Sequence, residues 1–526
     1  MAFDDLQSFV AELERHDQLR RVQAEVDPVL EMTEIADRVM KAPCPEGPTG
    51  APKTDAVHGG KGGRALLFEN VRGSSIPVLI NAFGSYARIK MALGCHDLEE
   101  LAARVRQLVK PDMPTTWVDK VKKIPALVKL AGFPPKIVKN GICQEVVHTD
   151  DADLLSLPIL QCWPADGDLS SEPPDLDFKT SEVEEAGGAA GRTGRYMTLG
   201  SVCTTDPDTG ERNVGMYRVQ VFGARLAAVH WHVHHDGARN FRKWAARNEP
   251  MPMAIVLGGE PVLPYVASCP LPPDVSEFLF AGFLNNRAIE LVEAKTIPLE
   301  VPAHAEIVIE GWVDPTEKMI EGPFGDHTAY YSLSSPYPVF RVSAITHRRN
   351  PIYPATVVGY PPMEDYYLGK ATERIFLPLL QMIVPDVIDY HLPIFGAFHN
   401  FVFVKIRKQY PYQARKVIHS IWGAGQMMLS KFIVVVDEHV DVHDEQDVLF
   451  RLGANVDPRR DTIIVDGPVD ILDHAAPFEG AGSKMGIDAT RKIPGEGTIR
   501  RWPTELQMSD DIKTRVTRRW AELGLD

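Results

Sequence analysis

Leu6, Phe9, Val10 and Leu13 recur at i, i+3, i+4 and i+7, the spacing that gathers apolar side chains on one face of a helix. Residues 32–40 repeat the helical pattern. Residues 65–68 and 78–82 are short apolar runs of strand length, and 87–93 reads as another helix. Between these elements, 42–63 is rich in Pro, Gly and Lys and long for a connection in a compact domain, so it reads as an exposed insertion. From Arg195 the period changes. Residues 196–204, 214–222 and 226–233 predict strands separated by turn residues, among them Asp206-Pro207-Asp208-Thr209-Gly210. A helix is predicted near 238–247, followed by strands over 254–257, 306–313 and 339–347. Strands this short and frequent predict a twisted sheet or barrel. Helix and strand then alternate: 412–429 is helical, 431–436 and 462–465 strand-like. Ile512, Val516, Trp520 and Leu523 share a face of a final helix. The fold class is mixed α/β, in three segments: an N-terminal α/β domain 1–143, a central β-rich domain 144–348 and a C-terminal α/β domain 349–526.

Composition agrees with that division. A chain of 526 residues, 44% hydrophobic and 24% charged, is an ordinary globular sequence of about three domains. Two stretches break the pattern: a basic, proline-containing one around 110–139, and 166–191, which is acidic, rich in Ser, Pro and Gly, and reads as a flexible insertion. The net charge of −15 argues against non-specific binding to nucleic acid or to an anionic membrane surface. No apolar run approaches the roughly 20 residues of a membrane span. The acidic, amphipathic N-terminus lacks the features of a secretory signal, and the six cysteines show no C-x-x-C spacing. The expected location is the cytoplasm, without a cysteine-based zinc site.

The densest candidate chemistry is Glu321-Gly322-Pro323-Phe324-Gly325-Asp326-His327, two carboxylates on a forced turn. Two readings fit it: a solvated acidic turn, or a carboxylate pair aimed into one cleft, one of which stays protonated as a general acid. Arg218 lies in an apolar, strand-like run. It is either an edge-strand residue facing water or a bidentate partner for a substrate carboxylate. Strand alternation puts Asn213 and Arg218 on opposite faces, so a shared site requires a bulge or break between them. His230, His232 and His234 would share one face of a strand, a possible transition-metal site; satisfied or exposed histidines are the other reading. Glu277 fits a helix cap, a surface acid or a hard-metal ligand. The Gly-rich stretches match neither G-x-G-x-x-G nor a Walker A loop, and no G-x-S-x-G is present.

Taken in order, 213–218 (NVGMYR), 301–311 (VPAHAEIVIEG), 321–327 (EGPFGDH), 344–348 (AITHR), 360–362, 408–414 (KQYPYQA) and 482–492 (GSKMGIDATRK) resemble the UbiD family of prenylated-flavin-dependent decarboxylases. Residues 362–380 look most like the branch labelled menaquinone-biosynthesis decarboxylase. The resemblance implies an N-terminal α/β domain, a central split β-barrel of flavin-reductase type and a C-terminal α/β domain used in oligomerisation. It implies prenylated FMN, supplied by a separate flavin prenyltransferase, with a divalent cation (usually Mn2+) at its phosphate and K+ nearby. It carries the metal-ligand roles to Asn213 and Glu277, with His235 as third ligand and Asp236 equally close in register. It carries cofactor contacts to Met216, Tyr217, Arg218, His230, Trp231, His232, His235 and Asp236, and a phosphate contact to Lys431. The catalytic trio becomes Arg218, Glu321 and Asp326, with Asp326 protonated in a desolvated pocket. The implied activity is reversible decarboxylation of an aromatic or α,β-unsaturated acid, with hydroxynaphthoate- or hydroxybenzoate-type quinone precursors as leading substrates and pocket residues near 360–363 and 394–398. The expected assembly is a homo-oligomer, dimer or hexamer. A flavin-dependent reductase and a subunit of a multi-subunit aromatic carboxylase are the alternatives.

Overall fold

The computed structural model describes residues 3–109, 133–171, 193–272, 275–397, 399–497 and 500–525. Most of the basic stretch after 109, the bulk of the acidic insertion and Phe398 lie outside them. The first helix is Leu6–Arg15, capped by the Asp5 side chain on the Ser8 amide, and its four periodic apolar residues are all buried. Helices also form at Glu31–Lys41, Tyr86–Ala92 and Leu98–Val109. A four-stranded sheet accompanies them, in the order Leu19–Val26, Ala65–Val71, Val78–Ile80, Tyr353–Ala355. The last strand arrives from beyond the central segment and pairs parallel with Val78–Ile80.

The insertion at 42–63 is docked rather than merely exposed. Asp55 is buried and accepts hydrogen bonds from Tyr86 Oη at 3.0 Å and Tyr366 Oη at 2.9 Å. Arg88, fully buried, donates to the carbonyls of Gly62 and Gly63. Composition misleads here because polar groups that would otherwise need water find partners inside.

The central sheet has nine strands. Its path runs Tyr196–Met197, Val219–Gly223, Leu226–Val229, Ser335–His347, Ile307–Glu321, Met251–Leu257, Ser201–Thr205, Arg212–Met216, with Val146–His148 added beside Ser335–His347. Strands Arg212–Met216 and Val219–Gly223 lie six places apart along this path. In a flat sheet, six spacings of about 4.8 Å would separate them by about 29 Å. Only Tyr217 and Arg218 connect them, and that link reaches about 10 Å. The sheet must therefore curl until its ends meet, giving a half-barrel with Tyr217 and Arg218 at the seam. Predicted strands break for the same reason: 214–222 is two strands and 226–233 stops at Val229.

The C-terminal region is a five-stranded sheet, ordered Val387–His391, Phe401–Ile406, Phe432–Asp437, Ala481–Asp488, Thr462–Pro468. Helices Glu364–Ile383, Gln413–Trp422 and Glu445–Asn455 accompany it. The predicted helix over 412–429 is a helix followed by a separate short turn of helix at Gly425–Leu429. The final helix, Asp510–Arg518, has no buried residue in the single chain, and Val516, Trp520 and Leu523 are exposed. Among the described residues, no helix is long and apolar enough to cross a membrane.

Candidate active site

Arg218 sits at the seam, where the backbone leaves one strand and enters another. The break resolves the alternation problem, because residues between two ladders are released from the period of two. Its side chain is buried and held on several sides. Nε donates to Glu321 Oε1 at 2.8 Å, Nη2 donates to Glu321 Oε2 at 3.1 Å and to Ser332 Oγ at 2.8 Å, and Nη1 pairs with Asp326 Oδ2. The guanidinium also lies 4.9 Å from the centre of the Phe324 ring.

The two carboxylates meet at Arg218 because of the turn between them. Glu321 ends strand Ile307–Glu321, and Phe324–Gly325 pairs back with Tyr331–Ser332. The turn is clamped from outside: Gln220 Oε1 accepts the Gly322 amide at 2.9 Å, and the Pro323 carbonyl accepts Gly167 N at 2.8 Å and Tyr196 Oη at 3.1 Å. Asp166 accepts the amides of Gly325, Cys162 and Trp163. Burial raises the Asp166 carboxyl to about 7 despite those amides. The acidic insertion therefore begins after this residue; Asp166 is part of the site's scaffold.

The acidic turn is not solvated: Glu321 is fully buried and Asp326 nearly so. Burial alone would raise both carboxyls, but Arg218 and His230 bring Glu321 down to about 2, and His327 and Arg218 hold Asp326 far below its ordinary range. The expectation of a protonated Asp326 runs against this direction, since its two cationic neighbours favour the ionised form. Of the pair, the proton is on His327, whose imidazole is raised to about 9 by Asp326 against the opposing effect of burial. His327 Nε2 lies 3.3 Å from His399 Nε2, which lies 3.4 Å from Asp470 Oδ2.

The three-histidine strand face does not form, because the strand ends at Val229. His230 turns inward, with Nδ1 2.7 Å from Glu321 Oε2 and Nε2 2.6 Å from His232 Nε2. His234 is exposed. His235 stacks on His232 and accepts the His232 amide on Nδ1. Tyr217 and Trp231 pack edge to face, and Tyr217 Oη accepts the Gly237 amide at 3.3 Å. Met216 is half-buried against the larger core.

Asn213 and Glu277 come together across 64 residues: Asn213 Nδ2 donates to Glu277 Oε1 at 3.1 Å, and Val214 N donates to Oε2 at 2.9 Å. Glu277 opens helix Glu277–Asn285, and burial raises its carboxyl to about 7. Asp236, at the start of helix Asp236–Ala246, is near enough to raise it further. Asn213 Oδ1 and Trp231 Nε1 are buried and lack a hydrogen-bond partner. An unpartnered carbonyl oxygen beside a buried carboxylate fits a hard divalent cation, and an unpartnered indole N–H fits an acceptor on a cofactor. Lys431 Nζ pairs with Asp473 at 2.8 Å, beside the loop carrying Asp470.

Sequence reading did not find Asp166, Ser332, His399 or Asp470. None carries a local motif, and each reaches the site only through folding. His327 stood inside the motif without a role.

Three family models match the chain, those of the 3-octaprenyl-4-hydroxybenzoate carboxy-lyase N-terminal domain (10–105), Rift-related domain (136–361) and C-terminal domain (366–489). An uncharacterized protein of Aquifex aeolicus is 47% identical over 525 residues, covering 100% of this chain and 99% of that one. One of Archaeoglobus fulgidus is 43% identical, covering 99% of each. The vanillic acid decarboxylase of Sedimentibacter hydroxybenzoicus, in closed form, superposes with a TM-score of 0.79 at 26% identity, covering 100% of both chains. The UbiD-class enzyme HmfF from Pelotomaculum thermopropionicum, in complex with FMN, gives 0.70 at 27%, covering 97% of this chain and 99% of that one. The chain belongs to the UbiD family.

Proposed function

We propose that the protein is a prenylated-FMN-dependent decarboxylase of an aromatic or α,β-unsaturated carboxylic acid, releasing CO2 reversibly. The observation that carries this reading is Arg218 held between two buried carboxylates, Glu321 and Asp326, at the seam of the half-barrel. A reductase on the same barrel has no use for such a trio. Family membership, the vanillic acid decarboxylase and the FMN-bound UbiD-class enzyme support it. Prenylated FMN supplies, when bound, an electrophilic centre that accepts the electron pair left by CO2 loss.

Asn213 and Glu277 would hold a divalent cation, Mn2+ in this reading, with Asp236 or His235 completing the set and K+ nearby. Trp231, Tyr217, Met216, His230 and His232 would line the flavin. Glu321 fixes Arg218 through two hydrogen bonds. An incoming substrate carboxylate competes with Asp326 for Arg218. Losing that contact raises the proton affinity of Asp326, which then takes a proton from His327 and delivers it to the carbon that loses CO2. His399 and Asp470 stand behind His327 to restore its proton. Substrates in this reading are hydroxynaphthoate- or hydroxybenzoate-type acids. A flavin prenyltransferase supplies the cofactor, the chain works in the cytoplasm, and the three segments 1–143, 144–348 and 349–526 act as its domains in a homo-oligomer, with residues 353–355 of the third completing the sheet of the first.

The test is co-expression with a flavin prenyltransferase, anaerobic purification with manganese and potassium, and mass and absorbance spectra of the released cofactor. Prenylated FMN near one equivalent, with CO2 release from an aromatic acid that Asp326→Asn abolishes while cofactor stays bound, is the expected result. Plain FMN alone, with nicotinamide-driven reduction and no CO2, would overturn it in favour of the reductase.

A further inference from the structure

A second constellation of ligand-type side chains lies in the C-terminal region and plays no part in the proposed reaction. Glu373 stands on helix Glu364–Ile383, His391 closes strand Val387–His391, and His443 lies in the turn before helix Glu445–Asn455. Glu373 is fully buried, and the side chains of His391 and His443 are 3% and 5% exposed. His391 Nδ1 and His443 Nδ1 face each other at 3.2 Å. His391 Nδ1 is 3.5 Å from Glu373 Oε2, and His443 Nδ1 is 4.0 Å from Glu373 Oε1. Ligand bonds of about 2.05 Å around a tetrahedral ion put neighbouring donors about 3.3 Å apart, close to these separations.

The hydrogen bonds leave the facing atoms as lone pairs. His443 Nε2 is 3.0 Å from Asp389 Oδ2 and 3.3 Å from Arg374 Nη1; in the tautomer that makes the shorter contact, Nε2 donates to Asp389 and the neutral ring has its lone pair on Nδ1. His391 Nδ1 accepts from Lys370 Nζ at 2.9 Å, so Nδ1 carries the ring's lone pair, which that ammonium engages. Two lone pairs at this distance repel unless a cation or a proton lies between them. Glu373 Oε1 is buried without a hydrogen-bond partner, and Arg374 Nη1 lies 3.6 Å from it. The surrounding acids, Glu99, Glu373, Asp389 and Glu445, outnumber the cations Lys370 and Arg374 by two charges when both imidazoles are neutral. A divalent ion offsets that difference.

We propose that Glu373, His391 and His443 bind a divalent transition-metal ion of the zinc class, tying a helix, a strand end and a turn together. Asp389 is the outer partner that orients His443, the arrangement usual for a metal-bound imidazole. Lys370 is a built-in competitor: its ammonium, 2.5 Å from Glu373 Oε2, uses the same electron pairs. The site is separate from Asn213 and Glu277 and does not depend on the decarboxylase reading.

The test is titration of the full-length, chelator-stripped protein with Co2+, read by the intense visible absorption of tetrahedral, nitrogen-ligated cobalt, which octahedral oxygen-ligated cobalt does not give. One equivalent is expected in the wild type, with tighter binding in Lys370→Met. His443→Gln should abolish the band, and Asp389→Asn should weaken binding roughly 10–100-fold. Circular dichroism identifies any ligand variant that fails to fold, and Lys370→Met keeps all three ligands, so the test never rests on ligand removal alone. Absence of the band in both wild type and Lys370→Met would overturn the proposal and favour the rival arrangement, a protonated His443 donating to His391. A band that survives in folded Glu373→Gln and His443→Gln would overturn it as well.

Discussion

His327 meets Asp326 twice: its amide lies 2.7 Å and its Nδ1 2.9 Å from the same carboxylate oxygen, Oδ1. The contact biases the protonation of both. His327 is raised to about 9 and Asp326 is held low. The raised histidine stabilises the fold fully below its unfolded value of about 6.5 and loses that effect as pH rises through about 9. The lowered aspartate contributes fully above about 3.9, and its contribution is lost as pH falls through its folded value. The thermal midpoint of the wild type minus that of His327→Gln should be largest between about pH 4 and 6.5 and shrink towards pH 9. Decarboxylation should show an alkaline limb near 9 that the variant lacks. An unchanged limb in a folded variant would remove His327 from the proton path.

Glu321 separates Arg218 from an unpaired burial. Glu321→Gln leaves the guanidinium with Asp326 as its one carboxylate partner among the described residues and deprives His230 of its carboxylate. Breaking one partner of a buried pair costs about 3–5 kcal/mol. The denaturation midpoint should fall accordingly, and activity should fall with flavin still bound.

Gly325 has no room for a side chain: a Cβ there would lie 2.1 Å from Trp163 Cδ1. Gly325→Ala should cost about 1–3 kcal/mol through overpacking. The loss of rate should be larger than that suggests, because Asp326 moves with the turn and misplacement by about 1 Å can cost about 100-fold. Parallel unfolding curves and turnover assays separate the two effects.

Trp520 and Leu523 follow a helix with no buried residue. In a homo-oligomer, a second copy of the chain is the expected cover. Trp520→Asp combined with Leu523→Asp should shift the mass seen by light scattering to a smaller species. Unchanged mass would place the contact elsewhere.

The architecture was legible because periodicity reports burial: the face of Leu6, Phe9, Val10 and Leu13 became a core face. What periodicity could not show was curvature. Residues 214–222 read as one strand because Val, Tyr and Phe dominate the run, and only the sheet order reveals the seam. Arg218, Glu321 and Asp326 were named from the motif, and the structure brings them together, but their charge states depend on neighbours the motif omits. Other motif residues are structural. Lys408, in KQYPYQA, is buried against Asp488 and Glu496, so GIDATRK and KQYPYQA meet as an internal ion network away from Arg218. Composition was the weakest guide: it placed Asp55 and Asp166 in exposed insertions, whereas both are buried acceptors.

The strand Tyr353–Ala355 gives the chain a particular assembly order. A ribosome makes the first three strands of the N-terminal sheet early, but Val78–Ile80 keeps an unpaired edge until residue 355 has emerged. Residues close behind add to the closure: Glu364 accepts the Phe83 amide and Tyr366 reaches Asp55. The half-barrel that carries Arg218 is thus threaded between the two parts of another sheet. The N-terminal unit serves as a clasp whose last strand is made only after the half-barrel, and a nascent chain stopped before residue 353 would have its Arg218 seam on a domain with no fastened base.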